Sequence, residues 1–304
     1  MSANSPSSPR GQESERHLPG HIAAALSRAG GATDSAGQSW EGRNLSGEGN
    51  PLHNFDNDDG LIDAKLESAL EALKGGTGSE QLVQAALAET RVYIAVIAQL
   101  AEGGLGENGF TEDKEADMAL VTLSAPDGRT ALPIFSSVGN LQAWHSEARP
   151  VAVYAPRAAL SAVSEEAQLL VLDPGADFTF VLRRPGMWAL AQQREWIPSY
   201  LNEDLATVVA EQALSEDSLS SIHMEPGHGV ATRTAAGAAV LGGGPGPELR
   251  LEFTFAPGIE EAEARACVAR IHARLSAIEE FVQSVDSLEV ALKSDPASGS
   301  GTPS

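Results

Sequence analysis

Cysteine is nearly missing from this 304-residue chain. The single thiol, Cys267, excludes an intrachain disulfide and any cysteine-based zinc site. Basic residues are scarce too: 20 Lys and Arg stand against 42 Asp and Glu, for a net charge of -22. So acidic a chain lacks the positive surface that a sequence-independent nucleic-acid binder needs to neutralise phosphates. Arg183, Arg184 and Arg194 make a local basic cluster that is too small for such a footprint, so nucleic acid is not expected as a partner. No long apolar run is present. The most apolar window, Val83 to Ala101, is broken by Gln84, Glu89, Arg91 and Gln99, so no membrane association is expected. The N-terminus has no basic segment followed by an apolar stretch, which argues against a secretory signal. With one thiol and no such signal, a cytoplasmic location is expected. Aromatics supply only 5% of residues, so Ala, Leu and Val have to fill much of the core.

Standard reaction motifs are also lacking. There is no Gly-x-Ser-x-Gly elbow or Walker motif. The glycine-rich stretch Gly103 to Gly109 lacks the Gly-Lys-Ser/Thr end of a phosphate loop and sits in acidic surroundings. A second cluster, Gly242 to Pro247, contains two prolines and reads as a linker.

What is present organises the chain around Met118 to Tyr200, where aromatics concentrate and short apolar runs alternate with Pro, Gly and Asp. Residues 1–57 carry too few large apolar groups to offset the entropy of ordering and read as a disordered, acidic arm. Within it, His21 to Ala29 has brief helical spacing and Trp40 is the one large side chain. Order is expected from residue 58. Leu66, Leu70 and Leu73 recur at helical spacing, and Ser79 opens a second helix. Val92 to Ile97 is a buried strand. Met118 to Leu123 and Thr130 to Phe135 flank the turn signal Pro126-Asp127-Gly128 and read as a hairpin pair. Ser137 caps a short helix, Val151 to Tyr154 is a strand, and Pro156 opens a helix. Leu169 to Leu172 is a short strand ending in Asp173-Pro174-Gly175, and Pro185 starts a helix carrying Trp188. From residue 201 a smaller unit follows: a strand around Ile222, an alternating strand from Leu249 to Phe255, a helix over 259–275, and a strand with Leu288, Val290 and Leu292 alternating. The expected fold is therefore α/β (α+β), a mixed sheet flanked by helices over 58–200, then a smaller α/β domain over 201–293. Residues 294–304 are expected to form a disordered tail.

Four segments carry a likeness to a known family. They are Ala116 to Val121, Leu132 to Ser137, Arg149-Pro150-Val151 with Leu170 to Pro174, and Arg184-Pro185 through Leu190 with Trp196-Ile197-Pro198. In order and pattern the region from about Leu82 to Tyr200 resembles the SseB family, its N-terminal domain. The C-terminal strand–helix–strand looks like the tail domain of long members. The resemblance implies an α/β fold and a cytoplasmic protein of uncharacterised function, and it brings no catalytic residues with it.

The remaining candidates come from the residues themselves. His145 and Glu147 have the spacing of an acid–base pair, or else divide between core and surface. Asp173 ends a strand, where α/β proteins place ligands, or forms an Asx turn. His223, Glu225 and His228 are close enough in sequence to tempt a zinc assignment, but nothing guarantees convergence, so neither a metal nor a cofactor is expected. Cys267 reads as a buried inert thiol. Arg183 and Arg184 precede Pro185 at a helix start, where an acidic ligand can be held between guanidinium groups and unpaired amides. Trp196 is the aromatic that suits a binding rim, while Trp188 suits the core. Arg183, Arg184 and Trp196 are thus the expected ligand or partner contacts, and no catalytic residue is assigned. The function expected is a non-enzymatic module that binds protein partners or a small acidic effector. Two alternatives stand beside it: an enzyme with its site at the Arg183/Arg184 helix entry, and a structural homo-oligomer joined through an exposed sheet edge.

Overall fold

The computed structural model describes residues 55, 57–99, 117–125 and 127–294. The arm over 1–57 apart from residues 55 and 57, with the helix expected at His21 to Ala29 and with Trp40, lies outside them, as do the stretch Gly103 to Gly109 and the residues from 295 on.

Two capped helices lead into the first sheet. Helix α1 (Ala64–Lys74) starts where the Asp63 carboxylate accepts from the backbone N–H groups of Lys65 and Leu66. It buries Leu66, Leu70 and Leu73, one stripe at helical spacing. Helix α2 (Glu80–Glu89) starts at Ser79, whose hydroxyl accepts from Leu82 N–H. Strand β1 (Arg91–Gln99) follows directly, and Val92 through Val96 are all buried, as a β-branched central strand requires.

Strand β1 is the hub of the first sheet. One of its edges carries β5 (Arg149–Tyr154), antiparallel with Arg91 opposite Tyr154. The other edge is shared by β2 (Asp117–Leu120) and β4 (Thr130–Phe135), both antiparallel to it. The expected hairpin is therefore split: only β3 (Leu123–Ser124) pairs with β4, while β2 pairs with β1. Beyond β4 lie β6 (Leu169–Leu172), parallel to it, and β7 (Phe180–Arg183), antiparallel to β6. The link from β4 to β6 runs through α3 (Val138–Trp144), β5 and α4 (Ala155–Ser164), and α5 (Arg184–Ala191) follows β7.

After a short 3-10 turn, α6 (Glu203–Ala213) leads to the second sheet. In it β11 (Leu249–Phe255) lies between antiparallel β8 (Leu219–Pro226) and parallel β12 (Leu288–Ser294). Helices α7 (Glu261–Leu275) and α8 (Glu279–Ser284) make the crossover between the parallel pair. Leu249, Leu251, Phe253 and Phe255 alternate into a core shared with Leu205, Cys267, Ile271 and Phe281. A minor ribbon, β9 (Thr232–Arg233) with β10 (Ala239–Val240), completes the strands of the described residues. The fold class is thus the expected one: a mixed sheet flanked by helices, then a smaller sheet-and-helix region.

Both sheets belong to one compact unit. The stretch Gly242 to Pro247, expected as a linker, is packed rather than loose. Gly243 O accepts from Val181 N–H at 2.9 Å, and Gly243 N–H donates to the Glu80 carboxylate at 2.8 Å. Gly243 has φ 73, and a Cβ there would lie 2.7 Å from Phe180 Cδ2, so the strap needs glycine on both counts.

Candidate functional site

The two parallel strands β4 and β6 end side by side, at Ser136 and Asp173. Their carboxyl ends open into a cleft of about 270 Å³. This is the position at which open α/β sheets gather ligands, because side chains beyond the strand ends are freed from the ladder. One wall is α1, which presents Glu67, Leu70, Glu71 and Lys74 at i, i+3, i+4 and i+7. The opposite side is made by Ser137 and Asn140 of the α3 entry and by Asp177 and Phe178.

Asp173 anchors the floor. It has φ 51, a left-handed conformation that Asp tolerates at turns. Its Oδ1 accepts from Ser136 N–H at 2.8 Å and its Oδ2 from Ser136 Oγ–H at 2.6 Å. Asn140 Nδ2 in turn donates to Ser136 Oγ at 3.1 Å. Burial pushes the Asp173 carboxyl above its ordinary value, against the lowering effect of the Ser136 donors. Ser136 is wholly buried and commits its proton to Asp173, so its hydroxyl stands as a relay in the floor rather than as an open nucleophile. The Asp173 side chain ties one strand end to the other. The rim is acidic: Glu67, Glu71 and Asp177 face a single cation, Lys74, which pairs with Glu71 at 2.6 Å. Chemically the cleft offers acceptors to an incoming hydroxyl or ammonium group.

Behind the floor lies a second polar knot. Arg91 donates to Asp58 through Nε at 2.6 Å and Nη2 at 2.7 Å, and to Ser136 O through Nη1 at 2.9 Å. Tyr93 OH also donates to Asp58. The Arg91 guanidinium holds the Asp58 carboxyl down to about 2.

The arginine pair does not form an open anion site. Arg183 is wholly buried, with Nη1 at 3.1 Å from Oε1 of the equally buried Glu80. Tyr200 OH and Gly243 N–H complete the Glu80 carboxylate, each at 2.8 Å. A second buried carboxylate, Glu248, accepts from Ser199 Oγ–H at 2.8 Å and Asp286 N–H at 3.0 Å. Burial raises the Glu248 carboxyl, and the Arg183 charge works against that rise. Arg184 reaches instead to α8, donating through Nη2 to Val282 O at 2.9 Å and Val285 O at 2.7 Å. An acidic ligand would meet Glu80 on one guanidinium and main-chain carbonyls on the other, while Arg183 Nε and Nη2 and Arg184 Nε, which have no partner among the described residues, are buried. Of the two expected ligand contacts, Arg183 is buried and Arg184 half-buried, and both are engaged within the chain.

The two tryptophans also exchange places. Trp196, the expected rim residue, is buried, with Cδ2 so close to Gly186 that a Cβ there would lie 3.2 Å away. Trp188 lies two residues along the helix, about 200° around it, so it faces out, 37% exposed, with the Arg184 guanidinium 5.6 Å from its ring.

The other sequence candidates are scattered. His145 ends α3, donating its backbone N–H to Leu141 O, and no hydrogen bond or ion pair joins it to Glu147 among the described residues. His228 Nδ1 lies 2.6 Å from Glu289 Oε1, while His223 and Glu225 stand opposite Glu252 and Arg250 in the β8–β11 register. Among the described residues no group of three His, Cys, Asp or Glu is placed to hold a metal ion. Cys267 is fully buried, and burial pushes its thiol up, as an inert core cysteine requires. No helix of the described residues is long and apolar enough to cross a membrane. Sequence reasoning missed Glu80, Glu248 and the Asp58–Arg91 pair, whose partners lie tens of residues away and leave no local signal.

Residues 66–189 match the model of the SseB protein N-terminal domain. The match runs from the first turn of α1 into α5 and includes every lining residue of the cleft except Ile62. It does not extend to the second sheet. No curated protein matches the chain.

Proposed function

We propose that the chain is a non-enzymatic binding module and that the cleft at the ends of β4 and β6 receives a small cationic effector. The observation that carries this reading is the meeting of Ser136, Asn140 and Asp173 at the carboxyl ends of the parallel pair, beneath a rim of carboxylates. The sign of the ligand charge is opposite to that suggested by Arg183 and Arg184, because those guanidiniums are engaged internally. The effector offers ammonium or hydroxyl donors to Glu67, Glu71 and the outer lone pairs of Asp173. We place the protein in the cytoplasm, where its one thiol stays reduced, and read residues 201–293 as a smaller domain of the kind carried by long SseB-like chains.

Calorimetric titration of the full chain with spermidine, with citrate as the anionic counterpart, tests the reading. A chain of net charge -22 attracts polyamines over its whole surface, so the comparison is between variants of equal charge. Glu67→Gln/Glu71→Gln is expected to weaken spermidine binding about tenfold, against little change in the exposed pair Glu195→Gln/Glu211→Gln. Equal weakening in both variants, or tighter binding of citrate than spermidine, refutes the cleft as the site.

A further inference from the structure

The C-terminal sheet ends in an open edge. Strand β12 pairs with β11 on one side, and among the described residues nothing pairs with its other side over Leu288–Ser294. An unpaired row of backbone donors and acceptors is a template for a further strand. The register with β11 puts Val290 and Leu292 opposite Leu251 and Phe253, on the face that carries the core. Yet each remains 42% exposed, unlike their β11 partners, which are buried. Among the described residues, no neighbour covers the apolar row past this edge.

The sequence of the strand, Leu-Glu-Val-Ala-Leu-Lys-Ser, is complementary to a second copy of itself. A second β12 laid antiparallel about Ala291 brings Glu289 opposite Lys293 and Val290 opposite Leu292, and the two-fold axis repeats both pairings. Charges of opposite sign and apolar side chains then meet on their proper faces. A one-residue slip sets Glu289 against Leu292 and loses both pairings, so the pattern selects one register. Within its own chain, Lys293 reaches Glu252 at 2.7 Å, and Glu289 holds His228 and lies 3.9 Å from Arg250. Both β12 charges are thus already oriented on the outer face of the sheet, and Lys293 keeps 58% of its side chain exposed for a second carboxylate.

We infer that β12 is a self-recognition edge: two copies of the chain join through antiparallel β12 strands into one continuous six-stranded sheet. The contact is isologous, so it closes at a dimer. It lies outside the cleft and stands or falls independently of the effector reading.

Sedimentation velocity of the full chain across micromolar to submillimolar concentration reads the association directly. The native chain is expected to run as a reversible dimer at the upper end. Glu289→Lys puts Lys against Lys twice across the axis, and Lys293→Glu puts Glu against Glu twice, so each variant alone is expected to associate about tenfold more weakly or worse. Mixed together, the two variants regain both complementary pairs, and a heterodimer is expected to form. Amide exchange needs no variant: the outward N–H groups of residues 288–294 are expected to gain protection with rising concentration of the native chain. A native chain that stays monomeric at submillimolar concentration refutes the inference. So does a dimer whose β12 amides exchange at the same rate at every concentration, or a folded variant pair that fails to associate on mixing.

Discussion

Replacing Arg183 by methionine is the most informative perturbation of the interior. Arg183 sits between two buried carboxylates, Glu80 at 3.1 Å and Glu248, whose carboxyl feels its charge. At an effective dielectric constant near 20, a charge pair at that separation interacts with roughly 5 kcal/mol, most of which offsets the desolvation of the two ions. Breaking such a pair from one side costs about 3–5 kcal/mol, because the partner is left charged and dry. The two sides are not equivalent. Glu80→Gln leaves Arg183 facing Glu248 and keeps an acceptor for Tyr200 OH and Gly243 N–H. Arg183→Met leaves two carboxylates and no cation. We therefore expect a loss toward 5 kcal/mol for Arg183→Met and nearer 3 kcal/mol for Glu80→Gln, with the double variant less damaged than the sum. Urea is the suitable denaturant, since guanidinium salts screen charge. In Arg183→Met the Glu248 carboxyl, raised by burial, loses the charge that works against the rise, so the penalty grows as pH rises from the ordinary carboxylate range toward the folded value and fades as pH falls back to that range. The gap to the native chain should accordingly narrow from pH 8 to pH 5. A smaller loss for Arg183→Met than for Glu80→Gln, or a loss independent of pH, would refute the reasoning.

Two further perturbations have definite signs. Glycine to alanine inside a helix ordinarily stabilises by up to about 1 kcal/mol, but a Cβ at Gly186 would lie 2.6 Å from Leu182 Cδ1 and 3.2 Å from Trp196 Cδ2. Overpacking should dominate, and Gly186→Ala is expected to lower stability by about 1–3 kcal/mol in urea melts; an unchanged or raised midpoint contradicts the placement of Trp196. The Asp58 carboxyl, held near 2 by Arg91 against an ordinary 3.8, contributes stability that is present above the ordinary value and lost as pH falls through about 4 to 2. After screening, that amounts to about 1–2 kcal/mol. Asp58→Asn is therefore expected to lower the melting temperature at pH 7 and to flatten its fall between pH 4 and pH 2; a fall as steep as in the native chain speaks against the Asp58–Arg91 pair.

Much of the architecture is legible in the chain because its causes are local. Ser79 and Ser137 cap helices because a hydroxyl meets an amide three residues on. The strand Leu249–Phe255 declares itself by alternation, since neighbouring side chains point to opposite faces. The parallel crossover from β11 to β12 follows from strand, long helix and strand in succession. The same locality explains the errors. Pro126-Asp127-Gly128 signals a turn but not which strand the returning chain will meet, and Met118 found β1 rather than β4.

What tertiary structure alone decided is which polar groups share an environment. Glu80 and Arg183 are 103 residues apart, and no spacing rule connects them. The cleft joins α1 to the ends of β4 and β6, and Trp188 and Trp196 take opposite fates through one small residue, Gly186. Propensity, capping and periodicity act over a few residues of backbone. Burial and charge pairing act through space, once chain closure has brought distant segments together.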